Sequence, residues 1–185
     1  TYWFSDQSNS PHMCRWMQLR ANRFLPGHLL NSTVAVYPGS DESEFDAHAF
    51  LSRMAGSFAV DGDIASWTAE RQRLARTWIG VYKRIRSLIS QRFYPLLPIP
   101  MDPEAWDAAM FISYSGEEAM VFAFSGVTPG ERLLCLKGLV AGRAYQLIRM
   151  PGETAGTVDS NTLMTSGLPV NLPANAAALW RLKMT

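Results

Sequence analysis

The chain has 185 residues, 48% of them hydrophobic and 18% charged, which supports a substantial core and excludes disorder as the main state. Lys plus Arg number 17 against 16 for Asp plus Glu, so the charge balance points neither to a nucleic-acid binder nor to an acidic tail. No apolar run approaches the roughly 18 residues of a membrane span. Cys14 and Cys135 are too few and too far apart for a disulfide scaffold or a zinc motif; they read as buried free thiols, with a single bridge as the alternative. The opening Thr1-Tyr2-Trp3-Phe4 is apolar, strand-like and without a signal-peptide pattern, and reads as an internal point of a longer protein.

In chain order, Tyr2 to Phe4 is a short apolar run that ends in the polar stretch Ser5 to Ser10. Pro11 suits a first helical turn, and Met13, Trp16, Met17, Arg20 and Phe24 recur at helical spacing, so a helix is predicted from Pro11 to Phe24, closed by Pro26-Gly27. His28 to Tyr37 predicts a buried strand, Phe45 to Met54 a short helix and Ser57 to Ile64 a strand. Ser66 to Ile89 is the strongest helix, with Ser66 as its N-cap and Trp67, Leu74, Trp78, Val81, Tyr82, Ile85, Leu88 and Ile89 forming one apolar stripe. Alternation of strand and helix is the grammar of a parallel α/β sheet.

The texture then changes. Pro95, Pro98, Pro100 and Pro103 punctuate a connector that cannot be regular helix. Beyond Trp106 the chain reads as β: Ala109 to Tyr114, Ala119 to Phe124, Arg132 to Leu136, Ala144 to Met150, Thr162 to Met164 and Ala177 to Leu182, separated by Gly and Pro turns. Short strands at this spacing predict a sandwich that supplies its own core, with proteolysis expected between Arg92 and Pro103.

Among the polar residues, Asp6 follows a strand and precedes a helix, the edge that carries catalytic groups in α/β barrels, although Ser5, Asp6 or Ser8 could equally cap the helix. Asp41, Glu42, Glu44 and Asp46 lack calcium-loop spacing and read as a solvated loop. His12, His28 and His48 have no metal-ligand spacing. The basic face of the long helix, Arg71, Arg73, Arg76, Lys83, Arg84 and Arg86, could touch phosphates but reads first as a solvated outer face.

The order of motifs carries more than any one of them. Trp3-Phe4-Ser5-Asp6 followed by Arg15 resembles the W-x-S-D…R segment of melibiase-type glycoside hydrolases, the α-galactosidases and their relatives. Leu25-Pro26-Gly27-His28, Met54-Ala55-Gly56-Ser57-Phe58 with Asp61-Gly62-Asp63-Ile64, and Tyr82-Lys83-x-x-Arg86 are similar to later segments of that family's barrel. Leu136-Lys137-Gly138-Leu139, Tyr145, Gly167-Leu168 and Leu179-Trp180-Arg181-Leu182 are similar to its C-terminal β domain.

This resemblance implies the last strands and helices of a (β/α)8 barrel in residues 1–92, followed by an antiparallel β-sandwich in 93–185. It implies part of a retaining exo-α-glycosidase, with α-galactosidase foremost, acting on oligosaccharides with terminal α-linked galactose. Asp6 maps onto the acid/base, and Trp3 and Arg15 onto substrate-binding positions; neither metal nor cofactor, nucleic acid nor membrane is implied. A retaining pair of carboxyls stands about 5–5.5 Å apart, and the family's K-x-D nucleophile segment is matched nowhere in this chain. The chain alone is therefore expected to be inactive, with the rest of the barrel or another copy as its partner. A non-catalytic carbohydrate-binding or interaction module is the alternative, in which an exposed Trp106 would stack on sugar, although burial against the barrel is more usual for such a residue.

Overall fold

The structure, a computed structural model, describes residues 2–3, 10–36 and 45–185. Its first part alternates β1 (Tyr2–Trp3), α1 (Pro11–Ala21), β2 (Leu30–Val36), α2 (Ala47–Leu51), β3 (Ser57–Gly62) and α3 (Ala69–Ile85). The three strands form a parallel sheet in that order, with Trp3 opposite Asn31 and Asn31 opposite Ser57. Parallel neighbours need a crossover, and the helices supply it.

α1 begins as the sequence predicts, with Pro11 at its first position and Ser10 Oγ accepting from the Met13 N–H at 3.5 Å. It stops at Ala21 rather than Phe24, because the chain turns at Asn22, whose N–H donates to the Gln18 and Arg20 carbonyls. Phe24 is consequently thrown outward and is 86% exposed. The buried face is Cys14, Arg15, Gln18 and Leu19, one step round from the apolar row expected. A polar face can be buried here because it is bonded: Gln18 bridges the Arg53 carbonyl and the Ala55 N–H, and Asn22 Nδ2 donates to the Gln18 and Ala55 carbonyls.

α3 buries Trp78, Val81 and Ile85, and Leu88 and Ile89 continue the stripe. Its N-cap is Thr68, whose Oγ1 accepts from the Arg71 N–H at 3.2 Å; Ser66 instead donates to the Asp63 carbonyl within a 3-10 turn. Arg73, Arg76, Lys83, Arg84 and Arg86 are exposed, as a solvated outer face requires. No helix among the described residues is long and apolar enough to cross a membrane.

The second part contains β4 (Arg92–Pro95), β5 (Asp107–Ile112), β6 (Glu118–Phe124), β7 (Gly130–Leu134), β8 (Ala144–Arg149), β9 (Glu153–Asp159), α4 (Ser160–Thr165), β10 (Leu168–Leu172) and β11 (Ala177–Met184). Six strands form one sheet in the order β4-β5-β6-β11-β8-β9, with antiparallel pairing throughout; β7 and β10 form a separate antiparallel pair. Thr162 to Met164, expected as a strand, lies inside α4, where Asp159 Oδ1 accepts from the Thr162 N–H at 2.9 Å. β4, β9 and β10 replace it as strands the pattern did not reveal.

Both faces of β5 and β6 in the large sheet are buried. Ala108, Met110, Ile112, Val121, Ala123 and Leu182 pack with Leu134, Leu168, Val170 and Leu172 of the small sheet. Phe111, Met120, Phe122, Phe124 and Leu179 instead share a core with Leu19, Phe50, Met54, Trp78 and Ile85 of the first part. The β region supplies one core of its own, as expected, but its second apolar face is covered by α2, α3 and their neighbours rather than by its own strands. The connector is equally tight. A Cβ on Gly126 would stand 1.4 Å from the Glu104 carbonyl oxygen, so only glycine fits where the chain leaving β6 meets the connector.

Candidate functional site

By chain order Asp6 falls between Trp3, the last residue of β1, and Ser10, the N-cap of α1. Asp6 lies outside the described residues. Trp3 pairs through its backbone with Asn31.

Arg15 is fully described and completely buried. One guanidinium nitrogen, Nη2, donates to the Pro103 carbonyl at 2.9 Å and the Ala105 carbonyl at 2.7 Å, and lies 3.2 Å from His12 Nδ1. Its charge sits 5.3 Å from the centre of the Phe124 ring. These contacts tie α1 to the connector and to the large sheet. The bonds formed by Arg15 are therefore structural ones, while its Nε and Nη1 are buried without a hydrogen-bond partner among the described residues.

Around Arg15 the fold assembles a polar joint that sequence reasoning missed. His12 Nε2 lies 3.1 Å from Asn175 Oδ1, and the His12 and His48 rings meet edge to face at 4.8 Å. His48 is buried; burial foremost, then His12, Arg15 and Arg53, depress it to about 3, and the nearby Asn175 backbone pulls the other way. His12 is lowered as well, by burial and then by Arg15. Asp107 is 6% exposed and lies at the start of β5. Burial pushes its carboxyl up to about 6, against the pull of Arg15, the Ala108 N–H, Arg23 and Arg20. Burial likewise lowers Arg15 to about 10, with Asp107 and Asp102 opposing.

This joint is a buried seam between α1, α2, the connector and the turn before β11, with neutral imidazoles and a shielded carboxyl. Nothing in it resembles an open pair of carboxylates. Its sequence signal was the i, i+1, i+4 spacing of Cys14, Arg15 and Gln18, a polar row that the neighbouring apolar row outweighed.

The remaining expectations fall as follows. Trp106 is buried, the more usual of the two outcomes, and is not available to stack on sugar; its Nε1 donates to the Thr128 carbonyl at 2.8 Å, and Arg132 covers its ring at 4.9 Å. Cys14 is buried as expected, whereas Cys135 is exposed rather than buried, and the two form no disulfide. Asp46 caps α2, accepting from the Ala49 N–H at 2.8 Å, while Asp41, Glu42 and Glu44 lie outside the described residues. Among the described residues no three His, Cys, Asp or Glu side chains converge as metal ligands.

Comparison with known proteins follows from this geometry. Residues 106–182 match the family model of the glycosyl hydrolase family 36 C-terminal domain. No curated protein matches the chain. A variant of the family 36 α-galactosidase AgaA from Geobacillus stearothermophilus, solved in complex with raffinose, superposes with a TM-score of 0.80 at 23% identity, over 96% of this chain and 25% of its own. AgaA itself gives 0.74 at 25% identity, over 92% and 24%. The α-galactosidase of Lactobacillus brevis gives 0.77 at 14% identity, over 96% and 25%. The chain thus spans about a quarter of the solved structures it matches. Taken together, these findings show that residues 106–182 are similar to the family 36 C-terminal domain and that the chain shares the fold of a part of the solved family 36 α-galactosidases.

Proposed function

We propose that this chain is a C-terminal portion of a melibiase-type glycoside hydrolase and contributes the acid/base and the β-sandwich of a retaining exo-α-galactosidase. Residues 1–92 are read as the closing strands and helices of a (β/α)8 barrel, and residues 93–185 as the C-terminal domain. The observation that carries this reading is the union of two features in one chain: a family 36 C-terminal match over residues 106–182, and a parallel β-α unit in which Ser5-Asp6 falls between strand end and helix start.

In this reading Asp6, protonated, donates to the glycosidic oxygen as the bond to the anomeric carbon breaks. The nucleophilic carboxylate on another strand takes the sugar as a covalent glycosyl ester. Asp6, now ionised, then removes a proton from the water that attacks this ester, and the configuration is retained. Trp3 belongs to the proposal as a substrate-side residue; Arg15, which the resemblance also assigns to substrate binding, is completely buried and takes a supporting role instead. That role is to hold α1 to the connector, as its carbonyl bonds support.

The chain alone should release no 4-nitrophenol from 4-nitrophenyl α-galactoside, since a barrel of about 250 residues is represented by its last part only. Fusion to the preceding segment of its own gene, carrying a K-x-D strand, should confer hydrolysis. Hydrolysis by the 185 residues alone that Asp6→Asn abolishes would contradict the shared-site reading. A fusion that binds sugar without cleaving it would favour the non-catalytic module.

A further inference from the structure

Every described aromatic side chain is buried or half-buried except Phe24 and Tyr114, which are 86% and 70% exposed. Both line the same groove, about 290 Å³ in volume. The groove lies where α1 has ended and the chain turns toward β2, and it takes its polar lining from Asn22, Arg23, Ser90 and Gln91.

The two rings are carried by different parts of the molecule and are held from both sides. Phe24 is outward because α1 stops at Ala21, and its own N–H donates to the Ala21 carbonyl at 3.0 Å. Tyr114 sits in the β5–β6 turn. Gln91 Oε1 accepts from the Tyr114 N–H at 3.3 Å, and Arg92 donates to the Ser113 and Tyr114 carbonyls at 2.9 and 3.0 Å. The turn is thereby fixed to the residues that follow α3.

Exposed apolar area rimmed by polar groups marks a binding surface rather than a folding residue. The ligand follows from the lining. Three donors, the Arg23 guanidinium, the Gln91 amide nitrogen and the Tyr114 hydroxyl, have no hydrogen-bond partner among the described residues. An apolar protein partner would leave them unpaired at a cost. A pyranose answers both features, since one ring face presents C–H groups that stack on an aromatic face and its rim of hydroxyls accepts from donors. We propose that this groove binds a sugar ring of a neutral oligosaccharide between Phe24 and Tyr114. The inference rests on these side chains and does not require Asp6 to be catalytic.

The test titrates the full chain with maltotriose, which contains no galactose, by ligand-observed saturation-transfer NMR. The expected result is millimolar binding that Tyr114→Ala weakens about tenfold and that Phe24→Ala weakens similarly. Both aromatic substitutions are at exposed positions, and far-UV circular dichroism should confirm that folding is retained. The absence of maltotriose binding would overturn the proposal, as would binding insensitive to Tyr114→Ala. So would sedimentation showing that the two substitutions abolish self-association without altering sugar affinity, which would assign the surface to a second copy of the chain.

Discussion

One face of the large sheet presents Phe111, Phe122 and Phe124 to the helices of the first part; the other presents Ala108, Ala119, Val121 and Ala123 to the small sheet. Both are buried, yet they are built for different partners. Helices leave deep, irregular gaps, and rings fill them: Phe93 meets Phe111 edge to face at 5.1 Å, and the Phe122 and Phe124 rings are parallel at 6.2 Å. A second sheet packs flat, and small or branched side chains interdigitate with its leucines. The contrast teaches that the boundary between α/β and β textures in the sequence is not a boundary in the core.

The largest test of that contrast is to separate the halves. Residues 94–185 expressed alone would carry the phenylalanine face uncovered. We expect them to keep β-type circular dichroism while self-associating in sedimentation and binding a hydrophobic dye. A monomeric, dye-silent fragment would show that the two faces are energetically unequal after all. Next in size is Phe122→Ala, expected to lower unfolding free energy by about 3–5 kcal/mol, against about 2–5 for Leu168→Ala on the opposite side. Followed by both circular dichroism and tryptophan fluorescence in urea, the two variants should each unfold in a single coincident transition. Split transitions in either would mean that the faces belong to separate units.

A smaller effect is expected at the polar joint between them. Arg15→Met removes the donor to the Pro103 and Ala105 carbonyls and should cost about 1–3 kcal/mol. A neutral outcome would mean that water replaces the guanidinium there.

The smallest effect is the pH dependence, where two groups oppose each other. His48 is depressed from 6.5 to about 3, so its neutral form stabilises the fold above pH 6.5, and that contribution is lost as pH falls through this window toward 3. Asp107 is raised from 3.8 to about 6, so its contribution is fully present below pH 3.8 and is lost as pH rises through about 6. His48→Gln should flatten the acid arm of a urea-midpoint profile, and Asp107→Asn should remove the decline between pH 4 and 6. An unchanged profile in both would place the titrations elsewhere.

Much of the first part was legible because its signals are local. Pro11 at a helix start, the apolar stripe of α3 and the strand-helix alternation each need only neighbours in sequence. The α1 face was not legible, since burying Arg15 and Gln18 depends on carbonyls at Pro103, Ala105 and Arg53, far away along the chain. β9 was hidden for a related reason: Glu153–Asp159 is an almost wholly exposed edge strand, with no apolar alternation to announce it. In the same way, Thr162 to Met164 is short and β-prone at its first residue, but the Asp159 cap turns it into helix. Of the candidate site, the strand-to-helix setting of Ser5-Asp6 was readable, whereas the histidine joint arises only from tertiary packing.

The measurement that bears most directly on the account is the leaving-group dependence of Asp6→Asn in the polypeptide completed by its upstream segment. If Asp6 is the acid, hydrolysis of a natural α-galactoside, whose leaving group needs a proton, should fall by about 10²–10⁴-fold. Cleavage of an activated aryl α-galactoside should fall far less in its first step. Equal turnover of the natural substrate by the variant and the parent enzyme would remove Asp6 from the chemistry and contradict the account.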